Sequence, residues 1–543
     1  MFASGNKKTL VSTSLVLLLF IFASVSIFMF QNHESGFATD HRGQTSSMGA
    51  TLSKSLLIEN KHLVMLIGKQ LLDNGEVYYH YYNRFPVFEY LITGAVMQIF
   101  EPDLAMQIYI ARQVMNLFLL ASLLICFFIV KEILNDKFPA LFVSLLVFSS
   151  YYILYYNDMI SNMSTPLFGF VLALLIVIKS YKRNLRTSLL VLFSMLSIFA
   201  GWQSYAVFVT WFLVDTFARI LEKKKTGSFV KTVLSQPSFI ALVSSIMFGS
   251  LVLGGQILNE WSLKGGSFME IPTIQGVIRR FGLTKTTDIM EYPNLFDKDL
   301  SKWHYFLAVQ VFRIFIMIVP FAGIIISKVT KPDLVSLAPG MLFALISGVM
   351  FINGIVRFRN KIDFKLVSIF ALSGLVWAVP LRYYTAWHDH QSVFYIGFSI
   401  MYFVILSFYF HKPYVLKTLA VAVCFLFILS VYQMNFIKSA NAERLNAITV
   451  DFKNIYSKLP KNSRVYVDCA GRFGRDKLGW DVCRNEVSAD LDLGGQSLDF
   501  YLVGHYRVLL KNAEYIISRN PNYNEKRLTN NTTINLFRNI IKP

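Results

Sequence analysis

Residues 10–30 read LVSTSLVLLLFIFASVSIFMF, and the charged stretch Thr39-Asp40-His41-Arg42 follows soon after this apolar segment. A helix needs about 20 apolar residues to cross a bilayer, so residues 10–30 predict a first membrane span. Because this segment is longer than the roughly 7–15 apolar residues of a signal peptide and no small-x-small cleavage site follows, we interpret it as a retained anchor with its N-terminus inside. The chain returns to apolar sequence only after Tyr78-Tyr79-His80 and Arg84-Phe85-Pro86.

The composition places the chain in the membrane class. Of its 543 residues, 54% are hydrophobic and 16% are charged, whereas soluble globular proteins carry roughly a quarter charged residues. The formal net charge of +19 comes from short basic clusters between apolar spans, such as 179–186 and 357–365. Cytoplasmic loops have this pattern under the positive-inside rule, so the basic clusters predict which side of the membrane each loop faces. They do not indicate a nucleic-acid partner. The high content of Asn, Lys, Ile and Phe favours a bacterial inner membrane.

Apolar segments of crossing length recur through residues 1–437. They lie near 10–30, 105–130, 138–155, 163–179, 187–218, 238–258, 305–327, 336–356, 366–381, 391–410 and 414–436. The segment 187–218 is too long for one span and has basic clusters at both ends, so we predict two crossings with a turn near Gly201-Trp202-Gln203. The fold class that follows is an all-α polytopic membrane domain with about 11–13 transmembrane helices.

The predicted orientation determines whether the number of membrane crossings is odd or even. An N-terminus inside and a C-terminus outside require an odd number, whereas the candidate spans number about twelve. Either one candidate between 305 and 381 is re-entrant, or the loop 259–304 contains a further pass.

Two outer loops contain segments of helical periodicity. In outer loop 1, residues 31–104, apolar residues recur at helical spacing from Leu52 to Leu71, and in the large outer loop 259–304 they do so from Ile271 to Phe281. Such segments predict interfacial helices with the apolar face toward the lipid, or loop helices packed on the protein. The run Val87 to Phe100 is predicted to lie along the membrane surface or to be only partly inserted.

From about residue 438 to 543 the chain becomes more polar. The runs Arg464 to Asp468 and Glu514 to Ser518 predict short buried strands with helical stretches between them. We therefore predict a small soluble, extracytoplasmic α/β domain. Cys469 and Cys483 flank a polar segment of this domain, and either a disulfide or two free thiols fit the sequence.

Two acidic residues at predicted outer positions are the candidate catalytic groups. Asp40 lies about ten residues past the first span and could act as a general base toward a hydroxyl or bind a divalent cation such as Mg²⁺ or Mn²⁺. Asp158 closes the third span in Tyr155-Tyr156-Asn157-Asp158 and could face the same cavity. The alternatives are a solvated loop acid at Asp40 and an end-of-helix charge at Asp158.

Basic residues at the same side are the candidate ligands for a phosphate or a sugar. They are His80, Arg84, Arg112, Arg382, His388 and His390. Arginine and histidine hold phosphate by charge-assisted hydrogen bonds, and charged groups at membrane depth mark functional positions. The alternative for His80 and Arg84 is an aromatic belt whose basic residues contact lipid headgroups.

Several catalytic signatures do not occur in the sequence. It has no GxxxxGK[ST] loop, HExxH site, GxSxG elbow or CxxC pair. Without a nucleotide site, an enzyme in this setting needs an activated substrate that the membrane itself delivers.

The order of these features resembles the GT-C superfamily of polytopic glycosyltransferases, in particular its protein O-mannosyltransferase and aminoarabinose-transferase branch. The resemblance covers residues 1–220, and more loosely 380–440, through the acid Asp40, the segment Tyr78 to Pro86 and the later acid Asp158. Members carry a first-loop acid, a His-Pro-Pro-like motif where the chain enters the membrane, and a second-loop acid. Here His41 stands where a second acid is usual.

The resemblance implies a membrane hexosyl- or pentosyltransferase that uses a polyprenyl-phosphate sugar as donor and a lipid, glycan or protein hydroxyl as acceptor. Asp40, as base or metal-linked acid, would direct the hydroxyl to the anomeric carbon with inversion. The leaving phosphate would be met by His80, Arg84, Arg382 or His388. The rival interpretation is a polytopic transporter or a flippase, although no paired repeats with broken spans are visible.

Overall fold

Long apolar helices dominate the part of the chain that the structure, a computed structural model, describes. The described residues are 2–30, 41–58, 65–72, 74–81, 83, 85–100, 103–161, 163–221, 233–280, 303–321, 324, 334–385, 388–410, 412–440, 454–467, 506–507, 513–518, 526–527 and 535–538. Among them, eight helices are long and apolar enough to cross a membrane, and four shorter apolar helices accompany them. The predicted all-α polytopic domain is confirmed, and the chain is an integral membrane protein.

The helices follow the apolar segments of the sequence closely. They are α1 (Phe2–Met29), α2 (His41–Ile58), α3 (Phe88–Ile99), α4 (Leu104–Leu134), α5 (Lys137–Phe148), α6 (Tyr151–Tyr155), α7 (Ser164–Arg183), α8 (Thr187–Ala200), α9 (Ser204–Leu221), α10 (Pro237–Lys264), α11 (Pro272–Arg280), α12 (Trp303–Ile318), α13 (Leu334–Arg357), α14 (Phe364–Ala378), α15 (Arg382–Thr385), α16 (Ile396–Ser407) and α17 (Pro413–Ala440). A 3₁₀ helix, Asp389–Tyr395, leads directly into α16. The predicted turn near Gly201 separates α8 from α9, as expected.

Two ion pairs mark the opposite ends of the helix bundle. At one end Glu132, near the end of α4, pairs with Arg183 of α7 at 2.9 Å between Oε1 and Nη2. At the other end Asp158, in the link between α6 and α7, pairs with Lys438 of α17 at 3.0 Å between Oδ1 and Nζ. We refer to these as the Glu132 end and the Asp158 end. Helix α1 starts at the Glu132 end, where the Lys137 ammonium donates a hydrogen bond to Thr13.

Helix α12 enters the bundle without crossing it. Trp303, its first residue, lies under the Arg382 guanidinium at the Asp158 end, 4.8 Å from the ring centroid. Just beyond its last turn, the backbone N–H of Phe321 donates to Ser149 Oγ at 3.1 Å, still in the half of the bundle nearer Asp158. Pro320 and the positive φ of 53° at Phe321 turn the chain there. In the described residues the helix of the predicted span 305–327 ends early, at Ile318, which agrees with the re-entrant alternative.

Without α12, the number of candidate crossings is odd, as the predicted orientation requires. The eight long helices and three of the four shorter ones are then eleven candidate crossings among the described residues, which is an odd number. Residues 280 and 303, which flank an undescribed segment, both lie on the Asp158 side, because α11 contacts α15 and Trp303 contacts Arg382. The C-terminal part of the chain thus leaves the bundle at the end opposite to the start of α1.

Three other boundaries differ from the sequence prediction. The span 138–155 is broken, because Ser150 has an extended backbone and separates α5 from α6. The large outer loop starts later than residue 259, because α10 continues to Lys264. In outer loop 1, the predicted interfacial helix over Leu52–Leu71 ends at Ile58, and its residues 46–56 are buried on every side rather than on one face. By contrast, α3 buries a single face, in keeping with a position along the surface.

Strands of outer loop 1 and of the C-terminal region form one sheet. The strands are β1 (Leu66–Leu71), β2 (Val77–Tyr81), β3 (Arg464–Val467), β4 (Tyr506–Arg507), β5 (Tyr515–Ser518), β6 (Lys526–Arg527) and β7 (Asn535–Arg538), in the order β2-β1-β4-β3-β5-β7-β6. The two predicted strands at 464–468 and 514–518 are β3 and β5, paired in parallel. The sheet is not confined to residues 438–543, because β1 pairs in parallel with β4.

Candidate functional site

The link between α6 and α7 is a buried loop at the Asp158 end. We call residues 156–161 and Met163 the Asp158 loop, and each of them is buried. The hydroxyl of Ser164 donates to the carbonyl oxygen of Asn157 at 2.8 Å, which ties the start of α7 to the loop. Ser161 has a φ of 130°, a backbone conformation that non-glycine residues rarely adopt. Strain of this kind persists where the surrounding structure holds it, and it concentrates at functional sites.

Helices α2 and α3 of outer loop 1 hold this loop from outside the bundle. The backbone N–H of Ile160 donates to Ser46 Oγ of α2 at 3.1 Å. The hydroxyls of Tyr90, on α3, and Ser161 are hydrogen bonded at 2.8 Å. Helix α2 begins at His41, the residue that follows Asp40 in the sequence. Helix α2, whose first residue follows Asp40 in the sequence, is therefore packed against the loop that carries Asp158.

Gly49 makes the contact between α2 and the Asp158 loop possible. A Cβ at this position would overlap the carbonyl oxygen of Ile160. We expect Gly49→Ala to separate α2 from the loop and to destabilise the protein by about 1–3 kcal/mol, the usual cost of overpacking. Thermal unfolding in detergent measures this. Gly254→Ala is the matched control, because a Cβ there meets nothing within 4 Å and alanine favours the helix; equal unfolding temperatures for the two variants would contradict the prediction.

Asp158 is buried and forms an ion pair with Lys438. Its side chain is 1% exposed, and that of Lys438 is 5% exposed. The same ammonium also donates to Asn157 Oδ1. A buried ion pair persists only with good geometry and further hydrogen bonds, and losing one partner leaves a costly uncompensated charge. Asp158 is thus not a simple end-of-helix charge.

The segment 382–391 contributes the predicted basic residues at this end. The ring of His390 is buried and lies edge-on to Tyr156 of the Asp158 loop, with 6.0 Å between ring centroids. The half-buried His388 follows at 5.3 Å from His390. Arg382 stacks on Trp303 instead, so the structure brings His390 to the loop with His388 beside it, and directs this guanidinium to α12.

The structure describes the side chain of Arg112, but not those of the candidate residues in outer loop 1. Arg112 is 2% exposed on α4, within the first turns from the Asp158 end. Four residues further along the same face, Asn116 is fully buried, and neither of its amide atoms finds a hydrogen-bond partner among the described residues. Only the backbone of His80 is described, opposite Gly68 in the hairpin. Asp40 and Arg84 lie outside the described residues.

Glu260 at the end of α10 fixes the chain between the hairpin and α3. Its buried carboxylate accepts hydrogen bonds from the side-chain amide of Asn83, at 3.0 Å, and from the hydroxyl of Thr273. Asn83 in turn accepts from the backbone N–H of Met65. Asn83 precedes Arg84 in the sequence, and no pattern in the sequence predicts its contact with Glu260.

Lys438 and Arg313 are two basic residues of this end that are absent from the sequence-based candidates. Arg313, in the re-entrant helix α12, is 3% exposed and donates to the carbonyl oxygen of Thr385. The sequence does contain a signal for them, because both are basic residues on the side of the membrane where the positive-inside rule predicts few. A cation that breaks this rule within an apolar segment indicates a specific partner.

The described donor groups do not form a divalent-metal site. No cluster of three or more His, Cys, Asp or Glu side chains occurs among the described residues. Asp158 is neutralised by the Lys438 ammonium, whereas Mg²⁺ and Mn²⁺ prefer carboxylates that are open to them. A metal would therefore depend on Asp40, which the structure does not describe. Cys469 and Cys483 also lie outside the described residues.

Comparisons with known proteins give similarity at the level of overall structure. No protein-family model matches the chain, and no curated protein matches it. Among solved structures, the chain is similar to the Archaeoglobus fulgidus oligosaccharyltransferase, with a TM-score of 0.47 and 10% identity over 93% of this chain and 69% of that one. It is also similar to ArnT from Cupriavidus metallidurans bound to undecaprenyl phosphate, with a TM-score of 0.45 and 12% identity over 97% and 98%. With TM-scores below 0.5, these similarities assign no residue role in this chain.

Proposed function

We propose that the chain is a membrane glycosyltransferase that moves a sugar from a polyprenyl-phosphate donor to a hydroxyl acceptor at the Asp158 end. The observation that carries the proposal is the packing of α2, which starts directly after Asp40, on the buried Asp158 loop. This contact joins the Asp158 loop to the helix that follows Asp40 in the sequence, more than a hundred residues earlier. The same loop contacts Lys438 and His390, which supply nitrogen donors.

These groups suit a displacement at a sugar carbon. Asp40 would accept the proton of the acceptor hydroxyl as that oxygen attacks the anomeric carbon. The bond from that carbon to the phosphate oxygen breaks, and the lipid phosphate leaves with its electron pair. His388, His390 and the first-loop residues His80 and Arg84 would stabilise the developing negative charge. One displacement predicts inversion of the anomeric configuration.

The orientation follows from the distribution of basic residues. The Glu132 end carries a cluster of them, namely Lys137, Lys179, Arg183, Arg357, Lys361, Lys365 and Lys417. By the positive-inside rule this end faces the cytoplasm. We therefore place the site and the sheet outside the cytoplasm, at the outer face of a bacterial inner membrane.

A transfer assay with the purified chain tests the proposal. Radiolabelled undecaprenyl-phosphate sugars are incubated with lipid, glycan and peptide acceptors, and the label that leaves the lipid is measured. We expect label on one acceptor class, with inverted configuration. In a parallel arm, sealed vesicles report movement of the intact donor across the bilayer. Movement without cleavage of the sugar–phosphate bond would instead support the flippase alternative.

A further inference from the structure

The link between α13 and α14, at the Glu132 end, carries three cations within five residues. We call residues 357–361 the basic turn, and its Arg357, Arg359 and Lys361 are all exposed. Among the described residues, no carboxylate forms an ion pair with any of the three. Asp363 is the nearest acid in the sequence, but its carboxylate caps α14 by accepting two backbone N–H groups of the first turn. The basic turn therefore keeps its positive charge.

A second basic cluster at the same end is neutralised. The Glu132 carboxylate forms ion pairs with both Lys179 and Arg183 of α7. The positive-inside rule accounts for basic residues on this side of the membrane. It does not explain why one cluster has an acidic partner while the basic turn has none among the described residues. Cations that the protein leaves unpaired at a membrane surface are available to an anion from outside the chain.

The cations of the basic turn lie beside a set of packed rings. We call Phe358, Phe408 and Tyr409 the aromatic platform, because the centroids of the last two rings lie 5.6 and 5.1 Å from that of Phe358. The Arg357 guanidinium is 5.5 Å and the Lys361 ammonium 5.9 Å from the Phe358 centroid. The Tyr409 hydroxyl donates to a backbone carbonyl of α13 at 2.9 Å, which ties the platform to that helix. Cation–π contacts hold both cations in place without neutralising them.

Helix α13 presents an apolar stripe that ends at the basic turn. Its exposed side chains recur at helical spacing, and they are Met341, Leu345, Val349, Ile352 and Val356. Among the eight long helices described, α13 buries the smallest share of its residues, and it is long enough to cross the bilayer. The stripe therefore contacts lipid tails. A lipid whose tails lie along it has its headgroup at the level of the basic turn.

We propose that the basic turn and the aromatic platform bind the headgroup of a phospholipid with two phosphate groups, of the cardiolipin type. Guanidinium and ammonium groups hold phosphate oxygens by charge-assisted hydrogen bonds. Arg357 and Lys361 lie beside the same ring, so a lipid with one phosphate would leave one of them unpaired. Basic sites between transmembrane helices on the cytoplasmic side bind headgroups of this kind. The inference is independent of the proposed function, because the basic turn and the Asp158 loop lie at opposite ends of the bundle.

A lipid-binding measurement on the purified full chain in detergent tests the inference. Native mass spectrometry gives the dissociation constant of cardiolipin for wild type, Arg357→Gln/Lys361→Gln and Lys182→Gln/Arg186→Gln. The last variant is the matched control, because it removes the same charge from exposed residues in the turn between α7 and α8 at the same end. We expect the first variant to weaken binding by at least about tenfold, since two charge-assisted contacts are lost, and the control by less than about twofold.

Comparison with other anions identifies the occupant. Phosphatidylglycerol, with one phosphate, should bind to wild type at least about tenfold more weakly than cardiolipin. Equal affinity for the two lipids would overturn the two-phosphate assignment, and equal loss of binding in both double variants would overturn the site. Displacement of cardiolipin by equimolar inorganic phosphate would overturn the lipid assignment in favour of a soluble anion. The four substituted side chains are exposed, so both variants should fold. Because no sugar donor is present, the result does not depend on glycosyl transfer.

Discussion

Replacing Asp40 by asparagine is expected to lower the rate of sugar transfer by about 10²–10⁴-fold, the usual contribution of a general base. The amide has nearly the size of the carboxylate but cannot accept the proton of the attacking hydroxyl. Outer loop 1 reaches the Asp158 loop through α2, which begins directly after this residue. The measurement is the initial rate of label transfer from the lipid at saturating donor, normalised to folded protein.

Asp103→Asn is the matched control for the Asp40 variant. Asp103 is another acid of outer loop 1, but it is exposed and accepts the backbone N–H of Met106 at the start of α4. Its replacement should change the transfer rate by less than about twofold, because only a helix cap of roughly 1 kcal/mol or less is affected. Equal rates for the Asp40 variant and wild type would remove Asp40 from the reaction.

Replacing Lys438 by methionine is expected to destabilise the protein by about 3–5 kcal/mol, because Asp158 is left as a buried and uncompensated charge. Unfolding in detergent at increasing denaturant measures this change. Arg183→Met at the Glu132 end is the control, since the Arg183 side chain is 67% exposed. Exposed pairs contribute only about 0–1 kcal/mol. Similar destabilisation by the two variants would contradict the assignment of a buried pair.

The double variant Asp158→Leu/Lys438→Met separates structure from function. Replacing both partners of a buried pair by apolar groups is often neutral for stability, so we expect the free energy of unfolding to return close to that of wild type. Sugar transfer should remain well below that of wild type, because the carboxylate of Asp158 and the ammonium of Lys438 are both absent. Full recovery of transfer would mean that the pair only stabilises the fold.

The sequence was sufficient for features that depend on local hydrophobicity. The spans follow from apolar length alone, and the turn at Gly201 follows from a segment too long for one crossing. The strands β3 and β5 follow from short apolar runs bounded by polar residues. Each of these signals is contained in fewer than about 40 residues of chain.

Features that depend on distant contacts were not predictable. The periodicity from Leu52 to Leu71 is helical, yet Leu66–Leu71 forms a strand because it pairs with β2 of the same hairpin and, at two positions, with β4 more than four hundred residues later. The hydropathy of α12 resembles that of a span, and only its contacts with Arg382 and Ser149 show that it does not cross. Pairing between Asp158 and Lys438 joins residues 280 positions apart. Tertiary contacts of this kind override local propensity.

An experimental structure of the full chain with a bound undecaprenyl-phosphate sugar, by electron cryo-microscopy, tests the central claim most directly. We predict that the Asp40 carboxylate faces the same cavity as the Asp158 loop. It should lie within hydrogen-bond reach of the acceptor-binding space, directly or through one water. The phosphate should be held by nitrogen donors of His388, His390, Arg84 or Lys438. A map that placed Asp40 toward the Glu132 end, or the phosphate away from the Asp158 end, would contradict the account.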